Sequence, residues 1–311
     1  MRGHYRDSPP GMELHERLSR HTGLEVREAV RQGRQGSFRV TAIEDGRPRR
    51  FVLRGDAPQS PPGSISCEVE FHVIAAAVEV GTPTPRARFP GEGLVRDGAF
   101  AYLADWVDGE VTGSSVVSHP ARDELPEQLA RALSAIHRIT PETHELPLSG
   151  RERDPGEAAL EAARELLDAL PEPHAGLELA YVWATEHVPE PGPITLVHGD
   201  FRTGNFVVGE GGLAAVLDWE FAHWGDPLED IGRLCVRSWR FGQVALPAGG
   251  LATRARFYPA YGELSGHDID PEVIHFWEVL GNLRRGATHL GERCQVAFEA
   301  LRLIELGPPE L

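Results

Sequence analysis

Residues 196–234 read LVHGDFRTGNFVVGEGGLAAVLDWEFAHWGDPLEDIGRL, and the fold turns on how this segment is arranged. Ile194 to Val197 has the look of a short buried strand, and His198-Gly199-Asp200 leaves it into a loop in which Gly204 precedes Asn205. Phe206-Val207-Val208, a turn at Gly209 to Gly212, and Leu213 to Leu217 then predict a β-hairpin. Such a hairpin puts Asn205 at one foot and Asp218 at the other, close to Asp200. Three oxygen-bearing side chains at one end of a small sheet suit a hard cation. Magnesium usually takes one or two carboxylates together with phosphate oxygens and water, so Asn205 and Asp218 suffice as its protein ligands. Asp200 is then free to orient an attacking hydroxyl.

The step of five residues from Asp200 to Asn205, with a further Asp beyond, is the arrangement that kinases use for phosphoryl transfer. Gly199 stands where protein kinases carry Arg, and Trp219-Glu220 follows Asp218 in place of Phe-Gly, so the branch is a different one. HGDFRTGN, DWE, GDP and Asp230, in that order, resemble the hallmark of the aminoglycoside phosphotransferase family. The resemblance implies an α+β, bilobal, protein-kinase-like fold. A small β-rich N-terminal lobe with its hinge would occupy residues 1–107, and a larger, mostly helical lobe residues 108–311. It further implies transfer of the γ-phosphoryl group of ATP, with GTP as the other candidate, to a hydroxyl of a small molecule, dependent on Mg²⁺. Asp200 would be the catalytic residue and Asn205 and Asp218 the metal ligands. His198 would be structural, and Asp226 and Asp230 would brace the loop by accepting backbone hydrogen bonds.

The same resemblance asks the N-terminal lobe for a cation to anchor the nucleotide phosphates. All 31 basic residues of the chain are arginines. The absence of lysine excludes Schiff-base chemistry and the Walker-A phosphate loop. The matching strand ends Phe51-Val52-Leu53-Arg54, making Arg54 the candidate, with Glu70 of the following helix as its partner and Glu68 as runner-up. A phosphate-covering turn would lie in Arg31 to Phe38, RQGRQGSF, through Gly33 and Gly36. The hinge would run past the adenine over Tyr102 to Val107, placing Asp105 and Val107 at the nucleotide, with Trp106 in the core and Gly109 at the hinge end.

Outside these motifs the pattern agrees. Met12 to His21 reads as a helix. Leu24 to Ala29, Ser37 to Ile43 and Arg50 to Arg54 alternate like strands, with Asp45-Gly46 at a hairpin turn. Arg54 to Ser66 reads as a mobile loop and Cys67 to Val80 as a helix ended by Gly81, Pro83 and Pro85. Ala87 to Phe89 and Gly98 to Asp105 read as strands. Beyond them apolar residues recur at helical steps, as in Leu125, Leu129, Leu133 and Ile136.

The 311 residues carry 31 Lys+Arg against 47 Asp+Glu, a formal net charge of −16. A surface this acidic repels a phosphate backbone, which argues against nucleic acid as a partner, and it would draw in a cationic small molecule. Three scattered cysteines read as reduced thiols. The charged start MRGHYRDSPP and the lack of any long apolar run predict a soluble, cytoplasmic protein without a membrane anchor. The acceptor is expected on the C-terminal lobe near Glu220, Trp224, Trp277, Glu278 and Asn282. Two other readings compete: a nucleotide-binding pseudoenzyme, suggested by the missing lysine and the irregular glycine turn, and a metal-dependent hydrolase. The hydrolase is disfavoured because the 14 histidines form no HExxH or comparable cluster.

Overall fold

A computed structural model describes residues 14–32, 37–57 and 59–308. Helix α1 (Leu14–Thr22) leads into β1 (Glu25–Gln32), β2 (Ser37–Glu44) and β3 (Arg47–Gly55). The turn between β2 and β3 is at Asp45 and Gly46, both with positive φ (51° and 75°), as a tight primed hairpin turn requires. After helix α2 (Cys67–Glu79), strands β4 (Ala87–Glu92) and β5 (Phe100–Asp105) complete an antiparallel sheet of order β1-β2-β3-β5-β4.

Strand alternation divides this sheet between two cores. Phe51 and Leu53 of β3 and Ala101 and Leu103 of β5 join Leu18, Val26 and Val40 on one face. The intervening residues face the other way and are register partners, Val52 with Ala104 and Arg54 with Tyr102. Tyr102 and Ala104 pack with Val73, Ile74 and Ala77 of α2 into the large core that continues through the second lobe. Ser66 caps α2 by accepting a hydrogen bond from the Val69 amide. The loop before it, read as mobile, is anchored by Asp56, which accepts from the Cys67 amide at 2.8 Å and the Phe100 amide at 3.2 Å.

The remainder is mainly helical: α3 (Gly113–Val116), α4 (Leu125–Ile136), α5 (Pro155–Asp168), α6 (Ala175–Glu186), α7 (Leu228–Cys235), α8 (Arg254–Ser265), α9 (Pro271–Thr288) and α10 (Arg293–Leu306). Helix α9 is the central element, packing against α5, α6, α7 and α10. Two small sheets are set among the helices. Strands β7 (Phe206–Gly209) and β8 (Gly212–Val216) form the expected hairpin, while β6 (Thr195–Val197) pairs with β9 (His223–Gly225). Strand β9, three residues long, is too short for alternation to reveal and was not expected from the sequence. The small lobe is fastened to the hairpin by the Val216 amide donating to the Pro83 carbonyl (2.7 Å) and by Thr84, whose hydroxyl donates to the Val216 carbonyl (3.0 Å). Among the described residues no helix is long and apolar enough to cross a membrane.

Candidate active site

A cavity of about 630 Å³ opens between the small sheet and the β7–β8 hairpin. Its upper wall consists of the outward-facing residues of β3 and β5, Val52, Arg54, Tyr102 and Ala104. Its back is the segment Asp105, Trp106, Val107 and Gly109, and its floor is Val207, Leu217 and Asp218. Asp105 and Val107 thus line the cavity wall. Trp106 corrects its expected place in the core: it is half-buried, lines the cavity, and stacks under the Arg50 guanidinium (5.1 Å to the ring centroid). A cavity this size is apolar enough along Val52, Ala104 and Val207 to accept a flat heterocycle. Gly109, with φ of +151°, has no room for a side chain, since a Cβ would lie 2.6 Å from the Val208 carbonyl oxygen. That closeness lets Glu110 and Val208 exchange backbone hydrogen bonds at 2.8 Å and ties the hinge to the hairpin.

Arg54 projects into this cavity from the end of β3. Its Nη2 donates to both carboxylate oxygens of Glu70, at 2.8 and 3.1 Å. Its Nη1 lies 3.5 Å from Asp218 Oδ1, and Nη2 lies 3.6 Å from Glu220 Oε2. Burial opposes the charge on Arg54, but Glu70, Tyr102, Asp218 and Glu220 outweigh it and push its pKa up. Burial lifts the pKa of Glu70, although Arg54 and Tyr102 pull it the other way, while the Arg54 guanidinium holds its proton at any working pH. Glu68, the runner-up, is exposed on the other face of α2. Gly33 and Gly36 lie outside the described residues.

The second half of the site is built on the loop after β6. Gly199 has φ of +76°, and a Cβ there would come 2.3 Å from the Phe221 carbonyl oxygen; an arginine at this position could not be accommodated without moving the β9 approach. The amides of His198 and Gly199 donate to Asp230, at 2.7 and 2.9 Å. Asp230 also contacts His137 Nε2 at 3.2 Å, and His137 Nδ1 is 2.6 Å from the Tyr261 hydroxyl. A buried chain from α8 through the end of α4 to α7 thus fixes the loop. Burial lowers the pKa of His198. Its neutral ring donates from Nε2 to the Leu217 carbonyl (3.0 Å) and accepts the Asp200 amide at Nδ1 (3.2 Å). Asp226 is placed differently: it accepts from the Leu228 amide (2.8 Å) and Trp277 Nε1 (3.2 Å), joining α7 to α9 and not touching the loop.

Asp200 is nearly enclosed. Asn205 Nδ2 donates to its Oδ2 at 2.8 Å and to its carbonyl at 2.9 Å. Arg233 donates to Oδ1 from Nη2 (2.6 Å) and Nε (3.0 Å), and Arg202 Nε reaches both oxygens at 3.1 and 3.0 Å. Burial would raise the pKa of Asp200; Arg233 and Arg202, with the hydrogen bonds from Arg233 and Asn205, overcome it and hold the carboxyl below the usual carboxylate range. The Leu217 amide donates to the Asn205 carbonyl (2.8 Å), so the two feet of the hairpin meet beside Asp200. Asp218 follows with a left-handed backbone, φ of 61°, a conformation Asp tolerates better than most and one that marks functional turns. Its carboxylate is half-exposed to the cavity.

The motifs themselves do not mark Arg202 and Arg233 as site residues. Arg202 stands inside the quoted motif, and Arg233 falls three residues after Asp230, on the same face of α7; that spacing was the available signal. Conversely, Trp224, Trp277, Glu278 and Asn282, expected near the acceptor, are all buried. Glu278 is enclosed by Arg240 (2.9 Å) and Arg254 (2.5 Å). Only Glu220 of that group reaches the site.

Two lobes of this build, with a cavity between them and a loop carrying Asp200 and Asn205 ahead of Asp218, define a kinase-like phosphotransferase fold. The sequence profile of the phosphotransferase enzyme family matches residues 29–267, and the chain belongs to that family. Among solved structures, a putative aminoglycoside phosphotransferase from Ralstonia eutropha superposes with a TM-score of 0.71 at 18% identity, over 95% of this chain and 98% of that one. A thermostable mutant of aminoglycoside phosphotransferase APH(4)-Ia, in ternary complex with ADP and hygromycin B, superposes with a TM-score of 0.59 at 17% identity, over 95% and 99%. The mouse protein Acyl-CoA dehydrogenase family member 10 is 26% identical over 199 residues, 60% of this chain. This chain spans only 18% of that relative's length.

Proposed function

We propose that the chain transfers the γ-phosphoryl group of ATP to a hydroxyl of a small molecule, with a divalent metal at Asn205 and Asp218. The observation that carries this reading is the setting of Asp200: a carboxylate locked by Arg202, Arg233 and Asn205, beside the hairpin foot whose Leu217 and Asp218 line the cavity that also holds the Arg54–Glu70 pair. The ADP and hygromycin B complex of a protein of the same fold supports a nucleotide in the cavity and a small-molecule acceptor beside it.

Charge supports the metal. Arg54 faces Glu70, Asp218 and Glu220, so a single guanidinium meets three carboxyl groups, and nucleotide phosphates would add negative charge. Among the described residues no group of three or more His, Cys, Asp or Glu could hold a metal unaided. The oxygen donors of Asn205 and Asp218 fit a Mg²⁺ ion that takes its remaining ligands from phosphate and water. When bound, such an ion neutralises charge on the phosphate oxygens.

The steps assigned to the chain itself are few. Arg54, fixed by Glu70, orients the nucleotide phosphates with a planar fork where a lysine would offer a point charge. Asp200 aligns the acceptor hydroxyl. The bond from the γ-phosphorus to its bridging oxygen breaks, a bond to the acceptor oxygen forms, and the hydroxyl proton passes to Asp200. A carboxylate whose pKa is held low is a weak base, so the proton moves late, after bond-breaking has made the hydroxyl acidic. This suits a loose transition state in which positioning and charge do most of the catalysis. We take the lobes to divide at residues 107 and 108, where the hinge passes the cavity, and we place the protein in the cytosol.

The test is Asp200→Asn. Turnover of ATP with any accepted alcohol should fall about 10²- to 10⁴-fold, while ATP with Mg²⁺ still raises the melting temperature as it does for the wild type. Undiminished turnover would remove Asp200 from the chemistry. Adding a chelator, or making Asp218→Ala, should abolish the ATP-dependent rise; a rise that survives both would remove the metal.

A further inference from the structure

The acceptor side of Asp200 is basic, although the chain as a whole carries −16. The indole of Trp239, itself buried, is surrounded by three guanidinium groups. Arg202 lies 4.2 Å from its centroid, Arg285 4.6 Å and Arg233 5.1 Å. They come from the catalytic loop, the last turns of α9, and α7. None of the four residues lines the nucleotide cavity.

The carboxylates present do not consume this charge. Arg202 and Arg233 share the one carboxylate of Asp200. Arg285 pairs with Glu292, which also accepts from the Ser238 hydroxyl at 2.5 Å. Three cations therefore face two anions. Neighbouring Arg284 is matched by Glu229, which His223 shares at 3.1 Å, so that pair offers no relief. His289 adds no charge: burial, then Arg285 and the other guanidiniums, lower its pKa. Donors are left over as well as charge. Arg202 Nη2, Arg233 Nη1 and Arg285 Nη1 make no hydrogen bond among the described residues. The three side chains retain 23%, 20% and 13% exposure respectively, so a ligand can reach them.

Like charges gathered on one ring cost energy unless something compensates them. Trp is the best cation–π partner, but one indole face cannot balance three guanidiniums. Planar forks of N–H donors match carboxylate and phosphate oxygens in geometry as well as in charge. We infer that the acceptor is an alcohol that also carries an anionic group, a carboxylate or a phosphate, which docks on Arg202, Arg233 and Arg285 around Trp239 while its hydroxyl meets Asp200. This names the substrate class of the site and rests on the phosphotransferase reading above. It reverses the cationic acceptor that the net charge alone suggested, because what an acceptor meets is the local field and not the total.

The experiment is a melting assay on the full chain. First, the non-hydrolysable analogue AMP-PNP is added with Mg²⁺; failure of this step to stabilise would count against the nucleotide site and not against the anion site. With AMP-PNP saturating, so that the phosphate positions are filled, glycerol, glycerate, glycerol 3-phosphate, choline and kanamycin are titrated at constant ionic strength. Glycerate or glycerol 3-phosphate should stabilise saturably and glycerol, choline and kanamycin should not; which anion is stronger separates carboxylate from phosphate recognition. Arg285→Gln should weaken the anion effect at least tenfold with AMP-PNP affinity unchanged, and Glu292→Gln, which frees Arg285, should strengthen it. Stabilisation by choline or kanamycin but by neither anion would overturn the proposal. So would no saturable effect of any anion, or an anion effect indifferent to both variants.

Discussion

The two halves of the site solve opposite electrostatic problems. At the cavity end of β3 a single guanidinium, Arg54, serves Glu70, Asp218 and Glu220. Around Trp239 three guanidiniums share Asp200 and Glu292. The first half is short of positive charge and the second has too much. An enzyme that brings a metal–nucleotide complex to one side and an anionic alcohol to the other would have each half completed by its own ligand. Total charge reveals neither half, since both belong to the same acidic chain. The difference also separates structural risk: the cavity side depends on one cation, whereas Asp200 has two.

The largest effect should therefore follow Arg54→Gln. It strands a buried carboxylate beside two others, and breaking a buried pair from one side costs about 3–5 kcal/mol. Urea unfolding measures this as a lower midpoint at unchanged slope. Arg54→Gln with Glu70→Gln should recover most of the loss; a double variant as unstable as the single would mean that the pair is not the source. Arg233→Gln should cost less, about 1.5–3 kcal/mol, because Arg202 and Asn205 still hold Asp200. Equal losses for Arg54→Gln and Arg233→Gln would erase the contrast.

A pH series sharpens it further. The folded pKa of Asp200 lies below the value of an unfolded Asp, about 3.9. Its contribution to stability is thus complete above the unfolded pKa and is lost as pH falls through the folded one. From pH 5 to pH 3 the wild type should lose more stability than Asp200→Asn; parallel losses would show that the arginines do not hold an ionised Asp200. The smallest effect is expected from Arg50→Gln. Arg50 sits over Trp106 and 2.5 Å from Asp108, but both partners of that ion pair are well exposed. Exposed pairs contribute little, so the melting temperature should not move measurably, and a clear drop would make Trp106 a stronger anchor of the hinge than its exposure suggests.

The part of the candidate site confined to one segment is legible in the sequence. Asp200, Asn205 and Asp218 are placed by a loop and a hairpin whose residues follow one another, and the hairpin turn and alternation are local signals. Arg54 and Glu70 could be paired because a strand and the helix after it are also near neighbours. What could not be read was assembled across long separations. Arg285 reaches Trp239 only because α9 returns past the end of α7, and no periodicity in α9 marks which residue of its last turns does so. Aromatic and polar side chains on a helix, such as Trp277, Glu278 and Asn282, look available in the sequence; α9 is surrounded by α5, α6, α7 and α10, which buries them. Trp106 failed the other way, since a cavity on one side of β5 exposes a ring that composition alone would bury.

Arg54 carries one more consequence, for chemical labelling. Nucleotide probes that tag kinases by acylating a pocket amine will find no side-chain amine here, because the whole chain lacks lysine. Surveys built on that reaction would pass over this protein however tightly it held the probe. Dicarbonyl reagents, which condense with guanidinium groups, are the suitable tool, and protection of Arg54 by nucleotide would map the site from the one functional group it offers.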